Sequence, residues 1–367
     1  HDSLTGLANR YSFEESLKSN IHKNPRKNGS IALLLFDLDH FKYVNDTHGH
    51  DVGDLLLKEI SSKVSHCLRE SELFARIGGD GFAIILKNQC NNYLETKVSN
   101  RILASLSSPV VINNIEISIS VSIGISIYPD NTDNADELFK FADIAMYRAK
   151  KLGRNQVCYF EDRMQKQFLQ RYKIEQALTT AISKEQFMLH YQPVICAKTN
   201  ILTGFEALLR WWVDDTLYMP DDFINIAEES GMILEIGRWV IEQAIYQLSV
   251  WQKTNHSYVM SINLSAAQLS DGNLLACIKN TLAKYNISPE CVEFELTETV
   301  LLEKNETIIN MMNELSKIGC KIALDDFGTG FSSVSHLQNF PINTVKIDKS
   351  LMFSCAENKT QSLIKGL

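Results

Sequence analysis

The sequence predicts an α/β protein of two successive domains, an α/β sandwich followed by a β/α barrel. Its length of 367 residues exceeds what one hydrophobic core usually serves, since a domain takes about 150 residues. Strand-like and helical patterns alternate along the chain, as they do in α/β folds. A polar stretch after residue 160 separates two such series, so we predict domains at residues 1–160 and 161–367.

The first domain mixes segments of two kinds. Ile31–Asp37 and Ile117–Tyr128 are runs of apolar and β-branched residues, which predicts strands. Elsewhere apolar residues recur every three or four positions, the pattern of amphipathic helices. The predicted helices are Gly49–Arg69, Tyr93–Ser108 and Asp136–Lys151.

The second domain opens with a polar stretch that favours a helix, because it contains neither proline nor glycine up to residue 181. Strand-like segments then recur with helical stretches between most of them, which is typical of a TIM-like β/α barrel. The predicted strands are Phe187–Ile195, Ile201–Trp211, Val259–Leu264, Val292–Thr297, Lys321–Asp326 and Thr344–Asp348.

Polar residues keep one parity along these strands. Ser261 and Asn263 alternate with apolar neighbours, and so do Glu293 and Glu295. Because alternate residues of a strand face opposite sides, the apolar parity would pack under the helices and leave the polar parity to the other side. The polar residues expected at the C-terminal mouth, where barrel active sites lie, are Glu206, Asn263, Glu295, Asp325 and Lys346.

This group of side chains predicts a metal site. Burying several charges without partners would cost several kcal/mol each, and a cation is the simplest compensation. Three carboxylates and an amide oxygen, without histidine or thiolate, favour Mg²⁺ or Mn²⁺ over zinc. Any one acidic residue alone would more often be a solvated surface charge. Their shared position at strand ends favours the metal site.

Asp325 and Asp326 are consecutive, so on a regular strand their side chains would point apart. We expect the strand to end at Asp326 and the Gly-Thr-Gly turn at 328–330 to let both carboxylates reach the site. One carboxylate could then be shared between two ions about 3.5 to 4 Å apart, an arrangement suited to phosphoester cleavage. Lys346 could orient water or neutralise a phosphate oxygen.

Composition excludes several classes of protein. The net charge of −8 argues against DNA or RNA as a partner, because sequence-independent binding relies on basic surface. Eight scattered cysteines without a disulfide framework indicate the cytoplasm. The longest apolar run, residues 31–36, is too short to span a membrane. The chain opens without a signal peptide, and we expect a longer protein with an upstream sensor domain or membrane anchor.

Six segments of the second domain occur in the order and spacing of one enzyme family. They are Tyr191-Gln192-Pro193, Glu206-Ala207-Leu208-Leu209-Arg210-Trp211, Asn263-Leu264-Ser265, Glu295-Leu296-Thr297-Glu298, Asp325 to Ser333, and Lys346-Ile347-Asp348. Through them, nearly all of residues 165–352 closely resembles the EAL family of cyclic di-GMP phosphodiesterases. The resemblance implies hydrolysis of cyclic di-GMP to linear pGpG.

The resemblance also implies roles for individual residues, and it implies two Mg²⁺ or Mn²⁺ ions in the complete barrel. Lys346 would position the attacking water, Glu298 would hold the loop that organises the metals, and Asp326 would also act in catalysis. The implied metal ligands are Glu206, Asn263, Glu295, Asp325 and Asp326. The implied substrate contacts are Gln192, Arg210 and Asp348.

The chain ends at Leu367 with six predicted strands, whereas a β/α barrel has eight and usually takes about 250 residues. We therefore expect a barrel truncated at its C-terminus, with the family's further catalytic Glu and a Gln beyond residue 367. An alternative function is a receptor that binds cyclic di-GMP without cutting it. Loss of a metal ligand is the usual sign of such a receptor, and the ligands within this chain are all present, which favours catalysis.

The first domain carries the segments of another family. They are Asp2 to Arg10, Phe36 to Lys42, Asn45-Asp46, Gly49 to Asp54, and Lys150 with Gly153-Arg154-Asn155. Through them, residues 1–158 resemble the GGDEF family, which makes cyclic di-GMP from two GTP molecules and has a nucleotide-cyclase-like α/β sandwich. The signature, residues 76–82, has Gly81 where the family carries an acidic residue.

The resemblance therefore implies a degenerate domain without diguanylate cyclase activity, because glycine can neither accept a proton nor bind a metal. The family's other positions are present, with Asp37 and Asp80 for metal, Asn45 and Asp54 for guanine, and Lys150 and Arg154 for phosphates. Two hypotheses follow, a GTP-sensing regulatory module or a structural remnant that dimerises or spaces the enzyme. We favour GTP sensing and expect a homodimer.

Overall fold

The structure is a computed structural model that describes residues 1–23, 29–88, 93–254, 258–302, 305–327 and 340–349. The chain divides into two compact units, His1–Gln170 and Arg171–Leu367. Helix α6, Asp162–Ala181, begins in the first unit and ends in the second. The domain boundary at 160 and 161 stays a prediction.

The first unit is built on a five-stranded sheet in the order β2-β3-β1-β6-β7. Its central strand β1 runs antiparallel to both β3 and β6. The strands are β1 (Ser30–Leu38), β2 (Leu73–Gly78), β3 (Gly81–Asn88), β6 (Val121–Tyr128) and β7 (Val157–Tyr159), with β4 (Val110–Ile112) and β5 (Ile115–Ile117) as a separate hairpin. The helices are α1 (Arg10–Lys23), α2 (Phe41–His48), α3 (His50–His66), α4 (Leu94–Ser105) and α5 (Ala135–Lys151).

Both faces of this sheet are buried, which makes the unit an α/β sandwich. Leu34 and Phe36 of β1 belong to the hydrophobic cluster that includes Leu56 of α3 and Ile102 of α4. The alternate residues of β1, such as Leu33, belong to the cluster formed with α1 and α5. The prediction of one strand over 117–128 was wrong, because β5 ends at residue 117 in its own hairpin and β6 joins the main sheet only from residue 121.

The second unit contains a seven-stranded sheet in which β9, β11, β12, β13 and β14 run parallel. Strand β8 pairs antiparallel with β9, and β10, which the sequence analysis missed, pairs with the end of β9. The strands are β8 (Phe187–Cys196), β9 (Ile201–Val213), β10 (Thr216–Tyr218), β11 (Val259–Asn263), β12 (Val292–Thr297), β13 (Lys321–Phe327) and β14 (Thr344–Ile347). The helices are α7 (Pro220–Glu229), α8 (Ile233–Trp251), α9 (Ala266–Leu269), α10 (Leu274–Tyr285), α11 (Glu298–Leu302) and α12 (Glu306–Lys317), with a 3₁₀ turn at Pro289–Cys291.

The predicted parity holds along these strands. Ala207, Leu209 and Trp211 of β9 are buried in the core of the unit, as are Phe294 and Leu296 of β12. The intervening residues, which include Glu206 on β9 and Glu295 on β12, have the opposite parity and therefore share the other side of the sheet. The α/β class and the order of the two architectures are confirmed. Among the described helices, none is both long and apolar enough to cross a membrane.

Candidate functional site

A polar cluster in the second unit is formed by side chains from five neighbouring parallel strands. Neighbouring strands bring its members together, and Asn263 and Glu295 are partners in the register of β11 and β12. The registers of neighbouring strands place these positions within about two residues of one another, so residues distant in sequence meet there. The five residues are Glu206 on β9, Asn263 on β11, Glu295 on β12, Asp325 on β13 and Lys346 on β14.

Lys346 pairs with all three carboxylates of this cluster. Its Nζ lies 2.6 Å from Glu295 Oε2, 3.0 Å from Glu206 Oε2 and 3.4 Å from Asp325 Oδ2. The Glu295 side chain is only 2% exposed, so this ion pair is largely shielded from solvent. A second contact fixes the remaining oxygen of Glu206, because Asn263 Nδ2 donates a hydrogen bond to Glu206 Oε1 at 3.0 Å.

The geometry fits a divalent cation. Glu206, Glu295 and Asp325 each offer a carboxylate oxygen, and these oxygens lie within 4.8 Å of one another. Three carboxylates against one ammonium leave two negative charges, which one divalent ion would neutralise. Hard oxygen donors without histidine or thiolate are the ligand set of Mg²⁺ or Mn²⁺. The predicted metal ligands Glu206, Asn263, Glu295 and Asp325 are therefore brought together.

The electrostatics of the cluster reflect this excess of negative charge. Burial raises the pKa of Glu295 to about 7, the nearby Glu206 and Asp325 add to the rise, and Lys346 opposes it. Burial alone would lower the pKa of Lys346. Its hydrogen bonds and charge interactions with Glu295 and Glu206 outweigh that effect and raise the pKa above its usual value. The carboxylates repel one another, and the ammonium holds them together.

Asp326 differs from the other predicted ligands. Its side chain is exposed and is not part of the group of three close carboxylates. Its φ of +55° lies in the left-handed region, and the pairing of β13 with β14 is irregular between Leu324 and Phe327. Burial raises the pKa of Asp326, with added repulsion from Asp325 and Asp348. This backbone distortion lies within β13, whereas the turn at 328–330, expected to reorient the pair, is outside the described residues.

The other sequence-predicted residues lie on the strands that carry the cluster, on the neighbouring strand β8, or directly after a strand. Gln192 on β8 is exposed and pairs in register with Glu206. Arg210, four residues beyond Glu206 on β9, is half-buried and donates from Nη1 to Leu209 O at 2.8 Å. Glu298 is buried at the start of α11, directly after β12. Asp348 follows β14, and its backbone N–H donates to Phe327 O at 3.4 Å.

A cavity of about 700 Å³ opens beside the cluster. Its wall includes Glu206 and Asn263 of the cluster. It also includes Asn225 and Glu228 of α7, and Thr297 at the end of β12. Burial raises the pKa of Glu228, with a further contribution from Glu229. A cavity of this size with mixed polar and apolar walls is typical of small-molecule sites. The sequence analysis did not identify Asn225 and Glu228, because the sequence alone does not show which face of a helix lines a cavity.

The candidate nucleotide site of the first unit is centred on Asp37. Lys150 Nζ of α5 lies 2.5 Å from Asp37 Oδ2. Asp80 occupies the turn between β2 and β3, where burial and the nearby Asp37 raise its pKa. Asp143 of α5 was not predicted, and burial and Asp37 raise its pKa in the same way. The sequence did contain a signal for Asp143, because this residue lies seven positions before Lys150 on α5 and so on the same side of the helix.

The remaining predicted residues of the first unit are Asn45, Asp54 and Arg154. Asn45 of α2 packs against Gly53 of α3, where an added Cβ would lie 1.9 Å from Asn45 Oδ1. Asp54 and Arg154 are exposed. Gly81 pairs in register with Asp37, and an added Cβ there would lie 3.0 Å from Asp37 Oδ1. A side chain at residue 81 would therefore reach the same site.

Comparison with known proteins gives two domain matches. The family described as diguanylate cyclase, GGDEF domain, matches residues 1–156, and the EAL domain family matches residues 175–367. The cyclic di-GMP phosphodiesterase PdeR of Escherichia coli is 36% identical over 368 residues, which cover 100% of this chain and 55% of PdeR. The bifunctional diguanylate cyclase/cyclic di-GMP phosphodiesterase MucR of Pseudomonas aeruginosa is 34% identical, covering 99% of this chain and 53% of MucR.

The chain thus spans about half the length of these curated relatives. Among solved structures, the EAL enzyme Bd1971 with cAMP and cyclic di-GMP bound is 28% identical to this chain. The similarity covers 70% of this chain and 71% of that protein, with a TM-score of 0.52.

Proposed function

Because the chain belongs to the family of proteins that join a GGDEF domain to an EAL domain, we propose that it is part of a metal-dependent phosphodiesterase that hydrolyses cyclic di-GMP to linear pGpG. The observation that carries the proposal is the cluster in which Glu206, Glu295 and Asp325 surround Lys346 Nζ. The names of PdeR and MucR, and the cyclic di-GMP complex of Bd1971, support this substrate.

In this proposal the chain's own residues hold and orient the reactants. Glu206, Asn263, Glu295 and Asp325 would hold Mg²⁺ or Mn²⁺, with Asp326 as a further proposed ligand. Bound divalent ions lower the pKa of water and neutralise charge on phosphate. The Lys346 ammonium stands within hydrogen-bond distance of the carboxylates, where it would hold the attacking water or a phosphate oxygen.

Substrate orientation would fall to residues around the cluster. Arg210 presents a planar guanidinium that matches the geometry of phosphate, and Gln192 and Asp348 would bind further polar groups of the dinucleotide. Glu298, buried directly after β12, would hold the loop beside the ligands. The cavity next to Glu206 offers room for part of the substrate.

For the first unit we propose a GTP-binding regulatory module without cyclase activity. Asp37 and Asp80 would bind the metal of Mg²⁺–GTP, Asn45 and Asp54 the guanine, and Lys150 and Arg154 the phosphates. The absence of a side chain at Gly81, which faces Asp37, supports the loss of cyclase activity. We further propose that the complete protein is a homodimer, located in the cytoplasm and regulated by an upstream sensor domain.

The test uses the complete protein that contains this chain, incubated with Mn²⁺ or Mg²⁺ and either cyclic di-GMP or GTP, with the nucleotides identified by chromatography. Linear pGpG supports hydrolysis, whereas tight binding of unchanged cyclic di-GMP supports the receptor alternative. Formation of cyclic di-GMP from GTP would contradict the proposal for the first unit. A GTP titration that leaves the hydrolysis rate unchanged would contradict regulation.

The site itself is tested by Asp325→Asn, which should remove turnover. Glu290→Gln is the matched control, because Glu290 is an exposed carboxylate at the opposite, amino-terminal end of β12. Full activity in Asp325→Asn would contradict the assignment of the site.

A further inference from the structure

The loop after α5 has an unusual backbone. Gly153, Arg154 and Asn155 have φ values of +110°, +63° and +45°, so three consecutive residues lie in or near the left-handed region. Glycine tolerates such angles, but arginine disfavours them because its Cβ crowds the backbone. A run of this kind persists only where the surrounding structure holds it. The contacts of the loop should therefore include one that fixes it.

That contact comes from Asp39, just beyond the end of β1. The backbone N–H of Asn155 donates to Asp39 Oδ2 at 3.1 Å. Two serine hydroxyls orient the same carboxylate, with Ser120 Oγ donating to Oδ2 at 2.6 Å and Ser122 Oγ donating to Oδ1 at 2.7 Å. Asp39 is 4% exposed, so its charge is stabilised by these donors rather than by water.

The loop continues directly into two other fixed elements. Arg154 N–H donates to Ala149 O at 3.1 Å, near the end of α5. On the other side, Gln156 O accepts from Ile123 N–H of β6 at 2.9 Å, where β7 begins to pair. Asp39 thus holds the middle of a short connection whose ends are already anchored. Its loss would release the residues between them.

Strand β1 and the residue that follows it therefore make two contacts with the segment that carries the basic residues. Asp37 pairs with Lys150 at 2.5 Å, and two residues later Asp39 holds the backbone next to Arg154. Asp37 lies at the candidate nucleotide site, whereas the Asp39 carboxylate is already occupied by Ser120, Ser122 and Asn155. Asp37 is therefore placed to contact a nucleotide or its metal, whereas Asp39 supports the loop that carries Arg154.

We propose that Asp39 is a positioning residue, which holds the 153–155 loop in its left-handed conformation and thereby places the Arg154 guanidinium for the phosphates of a nucleotide. The second half of this proposal rests on the proposed binding of GTP by the first unit. Arg154 alone, on a released loop, would have to be ordered at each binding event.

The experiment compares Asp39→Ala, Asp39→Asn and Ser122→Ala in the full chain. Two quantities are measured for each, the dissociation constant for Mg²⁺–GTP and the hydrogen–deuterium exchange rate of peptides covering residues 152–157. Ser122→Ala is the matched control, because it removes a hydrogen bond to Oδ1 and leaves the Oδ2 contact with Asn155 in place. It should weaken the fold without releasing the loop.

We expect Asp39→Ala to raise the dissociation constant on the order of ten-fold and to speed exchange in the loop by a similar factor, since a charge-assisted contact is lost. Ser122→Ala should change both quantities less than about two-fold. Asp39→Asn keeps one acceptor oxygen, so its effects should lie between the two, and it serves as the test if Asp39→Ala does not fold.

Equal effects of Asp39→Ala and Ser122→Ala would overturn the proposal, because they would indicate general destabilisation. Unchanged exchange in both Asp39 variants would overturn it as well. Absence of GTP binding by the unsubstituted chain would contradict the proposed function of the first unit instead. The exchange rates would then still decide whether Asp39 holds the loop.

Discussion

Lys346 Nζ lies 2.6 Å from Glu295 Oε2, which joins the cationic centre of the cluster to its most buried carboxylate. The Lys346 side chain is 30% exposed, whereas that of Glu295 is 2% exposed. Little solvent reaches the Glu295 carboxylate, so water can replace only a small part of the stabilisation that the Lys346 ammonium gives it. The pair links the stability of the second unit to the same residues that would hold a cation.

Replacing Lys346 with methionine should destabilise the metal-free protein by about 2 kcal/mol, because it leaves the buried Glu295 without a counter-charge. Urea unfolding in the presence of a chelator measures this loss. Mn²⁺ should recover most of it, since a bound divalent ion stabilises the folded state. Lys317→Met is the control, because Lys317 and Glu314 form an exposed ion pair for which we expect less than about 0.5 kcal/mol. An equal loss of unfolding free energy in Lys346→Met and Lys317→Met would contradict this account of the cluster.

The left-handed backbone at Asp326 gives a second expectation. Asp326→Ala should be less stable than Asp326→Gly by about 1 kcal/mol, because alanine disfavours a φ of +55° and glycine does not. Asparagine tolerates this region and should resemble the unsubstituted protein. Urea midpoints of the three variants, measured without metal, give the order. If alanine proved as stable as glycine, the strain assigned to this position would be absent.

The space at Gly81 gives a third expectation. A Cβ at residue 81 would lie 3.0 Å from Asp37 Oδ1 and 3.2 Å from Gly78 O, so Gly81→Ala should cost about 1 kcal/mol. Gly81→Glu would add a carboxylate beside Asp37, and the repulsion between them should be relieved by Mg²⁺. Thermal unfolding with and without Mg²⁺ distinguishes the variants. Mg²⁺ should stabilise Gly81→Glu more than it stabilises Gly81→Ala. Equal stabilisation of the two variants would contradict this interpretation of the site.

A fourth expectation concerns how α5 is seated on the sheet. A Cβ at Gly124 of β6 would lie 2.1 Å from both Ala142 O and Met146 N of α5, so the helix backbone would have to move. Gly124→Ala should therefore destabilise the first unit by about 3 kcal/mol. Gly272→Ala is the control, because nothing lies within 4 Å of its added Cβ. Denaturant unfolding, followed in the unit that carries each substitution, checks the difference, and equal shifts of the midpoint in the two variants would contradict it.

Much of the architecture follows from periodicity. The alternation of Glu293 and Glu295 with apolar residues predicted which side of β12 carries the charges, because a strand can bury only one parity under a helix. The order of a GGDEF and an EAL domain was predicted from motifs, and the family matches confirm it. The individual roles assigned to the site residues stay predictions.

Other features depend on local backbone geometry or on short elements, which periodicity does not encode. Asp326 bends within its strand, although the sequence suggested the following glycines as the cause. Strand β10 has three residues, too few to show an alternating pattern. Asp39 stands two residues from Asp37 in the same motif, but only the fold places it against Asn155, 116 residues away.

Lys346 and Glu206 are 140 residues apart in sequence, and β14 is the last described strand. During synthesis the strands bearing Glu206, Glu295 and Asp325 leave the ribosome before the strand that bears Lys346. The three acids therefore emerge without the lysine that balances them, and their strands pair through non-local contacts that form slowly. Until Lys346 emerges, a divalent ion at the proposed cation site would supply the counter-charge that the ammonium supplies in the finished fold.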